Sequence, residues 1–274
     1  MLIRVEHATC YAYSELLLSS TQYVRMTPLS GPTQTVESWS LTCPGVTTTP
    51  WQDQYGNLCH ALTVSQPVAG IEVKVAGLVR TRDTNGVVGR GTSELPRSIY
   101  LRETPCTQAT ASIRDFALDF ETMRRRDVIG MLHALMLAIA EEVKYVKGET
   151  HVQTTGAEAL DRKSGVCQDH AHIFCAAARV LGVPARYVSG YLSQGMGDAP
   201  HASSHAWADA YVDDLGWVSF DPSNRVCATE LHVRTAIGLD YADACPIRGV
   251  RNGGGVETMS VKVNFPNQQQ QQSQ

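Results

Sequence analysis

The 274-residue chain has eight cysteines (Cys10, Cys43, Cys59, Cys106, Cys167, Cys175, Cys227 and Cys245), yet no two of them stand in a C-x-x-C pair. It therefore offers neither a zinc knuckle nor a dithiol redox motif. It also lacks an apolar run of bilayer length: the longest stretch, Met131 to Ala140, contains His133 and is half of what a membrane-crossing helix needs. A basic excess is missing too. Lys and Arg number 23 against 27 Asp and Glu, a net charge of −4, so a phosphate backbone finds no matching stripe and nucleic acid is not an expected partner. Arg4, Glu6 and His7 break up the first seven residues, where a secretory leader would begin its apolar core. The expected location is cytoplasmic, without a membrane span. In such a reducing compartment most of the cysteines read as small buried hydrophobes.

What is present is an ordinary core-forming balance, 43% hydrophobic and 18% charged. The first hundred residues give short β-rich runs: Leu2 to His7, Thr21 to Met26, Val36 to Thr42, Cys59 to Val64 and Ile71 to Arg80. Turn clusters such as Ser30-Gly31-Pro32 and Asp53-Gln54-Tyr55-Gly56-Asn57 separate them at the spacing of an antiparallel sandwich. Cys43 and Cys59 then read as unpaired sandwich core. Gly89, Gly91, Pro96 and Pro105 mark a junction, and beyond it Asp127 is placed to cap a helix whose apolar residues, Val128 to Val143, recur at steps of three and four. The expected organisation is an N-terminal β-sandwich over 1–104, an α+β domain over 105–265, and a disordered Gln-rich tail over 266–274.

Chemistry concentrates between Ser164 and Pro184. Ala171, Phe174, Cys175, Ala178 and Leu181 make one apolar stripe of a helix that Gly182 stops. Cys167 falls in its first turn, where free backbone amides and the helix dipole favour a thiolate. Cys175, eight residues on, sits on the apolar stripe and reads as core filler. Asp169 reads as a first-turn residue favoured by the same dipole. His170 and His172 point to different faces of a helix, and His201 precedes a strand, so neither they nor the His201/His205 spacing makes a convincing zinc site.

A base and an orienting group follow on two strands. His205, Trp207, Asp209 and Tyr211 alternate with Ala206, Ala208, Ala210 and Val212, and the chain resumes after a turn as Gly216 to Pro222. Pairing Val212 with Gly216 puts Ala210 opposite Val218 and Ala208 opposite Phe220, which makes one face wholly apolar. Trp207 then lies opposite Asp221, with His205 its diagonal neighbour.

Gly165-Val166-Cys167-Gln168-Asp169, Ser204-His205-Ala206-Trp207 and Trp217 to Asn224 resemble, in order, the Cys, His and Asp motifs of the transglutaminase-like superfamily. Arg4-Val5-Glu6-His7, Asp53 to Asn57, Pro184 to Tyr191 and Gly238 to Asp243 are similar to its bacterial branch of transglutaminase-like cysteine proteases with an N-terminal β domain. His170 departs from that pattern, where an apolar residue is more usual. The resemblance implies a papain-like α+β core with Cys167 as nucleophile, His205 as general base then acid, and Asp221 holding the imidazole. The Cys167 amide is one expected oxyanion donor, with Gln153, Tyr145 and Trp207 as candidates for the second. Trp207, Tyr187 and Tyr191 are candidate substrate-binding aromatics. The expected reaction is hydrolysis of a peptide or isopeptide bond in a peptide or protein substrate, without a cofactor or metal. Transfer of the acyl group to an amine, as in a transglutaminase, is the alternative, and a non-catalytic binding module is the second. Oligomeric state is left open, since no heptad run stands out.

Overall fold

The computed structural model describes residues 1–90, 95–193 and 202–264; the glutamine tail expected to be disordered lies outside them. The first strands are β1 (Leu2–Thr27), β2 (Gln34–Thr42), β3 (Thr47–Gln52), β4 (Leu58–Val64), β5 (Val68–Thr81) and β6 (Val87–Gly89). Three helices follow, α1 (Ala111–Leu118), α2 (Glu121–Arg124) and α3 (Val128–Glu142). Next come β7 (Lys144–Tyr145), α4 (Gly156–Arg162), β8 (Ser164–Gly165) and α5 (Cys167–Val180). Strands β9 (Ala185–Ser193), β10 (Ala202–Val212), β11 (Gly216–Asp221), β12 (Val226–Cys227) and β13 (His232–Gly238) lead to α6 (Tyr241–Ala244). The chain then returns through β14 (Ile247–Gly253) and β15 (Glu257–Asn264).

The N-terminal strands β1 to β5 form a seven-stranded sheet together with β14 and β15, in strands longer than the short runs of the sequence suggest. Its spine is β1. The pairing with β14 slips between Leu17 and Ser19, and the burial phase flips there: Ile3, Val5, His7, Thr9 and Leu17 face inward before the slip, Ser20, Gln22, Val24 and Met26 after it. A strand shows alternate residues to one face, so this irregularity re-aims the second half and lets Val24 and Leu62 share a core with Val73 and Val75.

Strand pairing crosses the expected boundary near residue 105 in both directions. Strand β6 pairs with β11, while β14 and β15 come back to pair with β1. The last strands therefore belong to the N-terminal sheet because its spine still has an open edge to fill.

The second sheet runs β12-β11-β10-β9-β13. Its hairpin has the register that the apolar alternation requires, Val212 with Gly216, Ala210 with Val218 and Ala208 with Phe220. Those small residues let α5 approach closely, and every residue of that helix from Asp169 to Arg179 is buried. Phe174 stacks on Phe220 at 5.2 Å between ring centres. Asp127 caps α3 as expected, its side chain accepting from the Gly130 amide. Arg179 is a buried charge of this helix, and its guanidinium donates to the carbonyls of Tyr100, Ala185 and Leu239 and to Thr107 Oγ1, which supplies the partners a buried cation requires. No described helix is long and apolar enough to cross a membrane.

Candidate active site

Cys167 is the first residue of α5, and the turn before it is tightly held. Asp169 Oδ2 accepts from the Val166 amide at 2.8 Å and from Thr150 Oγ1 at 2.7 Å, so its carboxylate caps the helix as its position suggested. Gly165 is needed beside it, since a Cβ there would press on the Asp169 side chain. The half-buried Cys167 thiol faces a cavity of about 270 Å³ that is also lined by Tyr187, Gly190, Ser204 and His205.

His205 sits on β10, two residues before Trp207, and its Nε2 meets Asp221 Oδ2 at 2.7 Å. That leaves Nδ1 for its other neighbour, Cys167. Burial alone would disfavour the imidazolium. Hydrogen bonding to Asp221 and Cys167 and their negative charges outweigh it and raise the pKa to about 10. Asp221 is fully buried, and burial would push its carboxyl upward, but donors and charge hold it well below the usual carboxylate range. Those donors are His205, Asn224 Nδ2 at 2.6 Å and His232 Nε2 at 3.1 Å, all on Oδ2, with the Asn224 amide on Oδ1.

His232, on β13, carries no sequence motif and was invisible as a lone histidine. Its Nδ1 accepts from the Thr229 amide at 3.1 Å, which puts the ring proton on Nε2, toward Asp221. His205, Asp221 and His232 bring one potential ligand atom each within 4.8 Å of one another. Both imidazole nitrogens are directed at a single carboxylate oxygen, so a cation there would have to break two hydrogen bonds.

Of the aromatics expected at a substrate groove, Tyr187 lines the cavity and the other two do not. Trp207 packs behind His205, ring centres 6.1 Å apart, because two residues further along the strand the same face is covered by Val188, Trp217 and Ile237. Tyr191 is buried, its hydroxyl sharing a hydrogen bond with His7 Nδ1 at 2.9 Å. Among the expected oxyanion partners, Tyr145 reaches Cys167. Burial first, then the charge of Cys167 and a hydrogen bond to it, raise its pKa to about 12. Gln153 is exposed, and Trp207 Nε1 is buried away from the cavity. His170 ties the site together from behind, with Nε2 on the Val143 carbonyl at 3.0 Å and Nδ1 on Ser223 Oγ at 3.1 Å. His172 takes the Tyr241 amide, and burial drives its pKa down to about 3. His201 lies outside the described residues.

Residues 117–222 match the model of the transglutaminase-like superfamily, and residues 3–80 match that of the bacterial transglutaminase-like N-terminal region. An uncharacterised protein of Mycobacterium leprae is 29% identical, with 96% of this chain and 98% of that protein covered. One from Mycobacterium tuberculosis is 28% identical over 90% of this chain and 86% of its own. A protein-glutamine gamma-glutamyltransferase of Pseudomonas aeruginosa is 31% identical over 83 residues, 26% of this chain and 12% of that protein. A solved structure from Cytophaga hutchinsonii, provisionally assigned as a cysteine protease, covers 97% of this chain and 92% of its own at a TM-score of 0.73 and 21% identity, a likeness of fold.

Proposed function

We propose that this member of the transglutaminase-like superfamily, with its bacterial transglutaminase-like N-terminal region, is a cysteine-dependent amide hydrolase acting on peptide or isopeptide bonds. The observation that carries this reading is the His205–Asp221 pair at 2.7 Å, with Cys167 at a helix N-terminus on the imidazole's other side. His205 takes the thiol proton and keeps it through neutral pH. The Cys167 sulfur attacks the amide carbonyl, and the negative oxygen that forms is met by the Cys167 amide, with the Tyr145 hydroxyl as second donor. His205 then gives its proton to the departing amine, leaving a thioester. Water, deprotonated by the now neutral imidazole, releases the carboxylic acid and regenerates the thiol.

Transfer to an amine is the second reading, supported by the name of the Pseudomonas relative. Hydrolysis is preferred because the described cavity lining includes no Asp or Glu to hold an ammonium acceptor. The test is turnover of a panel of peptide and isopeptide amides, with Cys167→Ser as control. Free amine and free acid released without added acceptor support hydrolysis. Product formed only with a primary amine present makes the chain a transferase. No difference from Cys167→Ser on any substrate removes the enzymatic reading and brings the binding module forward.

A further inference from the structure

The cavity wall facing Cys167 and His205 comes from the other sheet. β1 and β15 pair Thr9 with Val261 and Tyr11 with Met259, so these four side chains share one face of a two-stranded ribbon. That face, joined by Ile247 of β14, lines the cavity together with Cys167.

The wall is notable for what it does not carry. Among the described lining residues there is no Asp, Glu, Lys or Arg. His7 is no exception: its two ring nitrogens are engaged by Tyr191 Oη and Thr9 Oγ1, each at 2.9 Å, and burial lowers its pKa to about 4. The one charged side chain of the lining, the His205 imidazolium, is already matched by Asp221 and Cys167, so a charged group entering here would leave water without meeting a free counter-charge, which is costly. An apolar group would instead cover Met259 and Val261, which stand 58% and 46% exposed at the rim. The cavity volume, about 270 Å³, lies just under the ~300 Å³ at which small-molecule pockets begin. It has room for a side chain or two, and none for a folded domain.

We propose that the face formed by Tyr11, Met259 and Val261 selects substrates in which an uncharged, apolar side chain flanks the scissile amide, and rejects acidic and basic flanks at that position. This deepens the hydrolase reading and rests on Cys167 being its nucleophile.

The test uses the full chain and a series of N-alkyl iodoacetamides, from N-methyl to N-butyl, with N-carboxypropyl and N-aminopropyl analogues. In each case the thiolate sulfur displaces iodide, forming the S–C bond as the C–I bond breaks. Alkylation is read cysteine by cysteine by mass spectrometry and divided by each reagent's rate with glutathione. The normalised rate at Cys167 is expected to rise about two- to fourfold per methylene. Both charged analogues are expected to react about tenfold more slowly than N-butyl. Met259→Glu should let the amine analogue overtake the carboxylate, whereas Val250→Glu, on an exposed position of β14 outside the lining, should leave the ranking unchanged. Equal normalised rates at a Cys167 that still outpaces the other cysteines would overturn the selectivity and spare the nucleophile. A Cys167 no faster than the others with every reagent would overturn both.

Discussion

Asn57 pairs with Ile237 as a neighbouring strand would: its Oδ1 accepts from the Ile237 amide at 2.8 Å and its Nδ2 donates to the Ile237 carbonyl at 2.7 Å. Gln34 does the same to Arg234, at 2.9 and 2.8 Å. Two amide side chains of the N-terminal region thus cover the outer edge of β13, whose backbone would otherwise stand unpaired. Asp53 holds Asn57 in place by accepting from its amide and from its Nδ2, each at 3.0 Å.

Asn57→Ala should therefore strip two buried backbone groups of their partners. At roughly 1–3 kcal/mol for each such group, the expected loss is about 2–6 kcal/mol, measured by equilibrium urea unfolding. A loss no larger than that of an exposed-site substitution would mean that water replaces the side chain.

His232→Phe removes one donor from Asp221 Oδ2, so the carboxyl climbs back toward the ordinary carboxylate range. The acid limb of the pH profile of Cys167 alkylation should then move up by about 1–2 pH units, the worth of a hydrogen bond to a charged group. His232→Gln keeps an N–H donor and should stay near the wild-type limb. If both variants shift alike, His232 supports the strand and not the carboxylate.

His205 holds its proton more tightly when folded, with a pKa raised from 6.5 to about 10. Its stabilisation is complete below pH 6.5, declines as pH rises, and is gone above about pH 10. Asp221 runs the other way, since its lowered pKa stabilises above 3.8 and is lost as pH falls below it. The gap in urea midpoint between wild type and His205→Gln should thus narrow from about pH 6 to about pH 10. A widening gap would contradict the raised pKa.

Gly190→Ala places a methyl group against the Val233 carbonyl and the Trp207 ring. Neither can retreat: one is backbone in β13, the other is packed behind His205. The expected cost is about 3 kcal/mol or more, with slower Cys167 alkylation as the ring displaces His205. Thermal unfolding and labelling on the same sample check both effects.

The hairpin that carries His205 and Asp221 was legible in the sequence because Ala206, Ala208, Ala210, Val218 and Phe220 leave one register able to bury them all. The ends of α3 and α5 were legible too, from Asp127 and from Gly182 with its positive φ. β1 was not. Its buried alternation changes phase midway and uses His7, Thr9, Ser20 and Gln22, so it reads as two short runs with a loop between. The return of β15 was hidden for the opposite reason, because Met259 and Val261 remain partly in solvent and form no buried periodic face. His232 acts through a contact with Asp221 made across two strands, which neither local spacing nor propensity records.

The return of β15 to β1 also sets an order of events during synthesis. Glu6 pairs with Ala76 on one side but meets its partner on the other only at Asn264, so β1 keeps one unpaired edge while the residues between are translated, a window of roughly tens of seconds at ~5–20 residues per second. The same strand, β15, supplies Met259 and Val261 to the cavity. A nascent chain still short of β15 lacks that wall, and the arrival of the last strand both seals an aggregation-prone edge and completes the pocket.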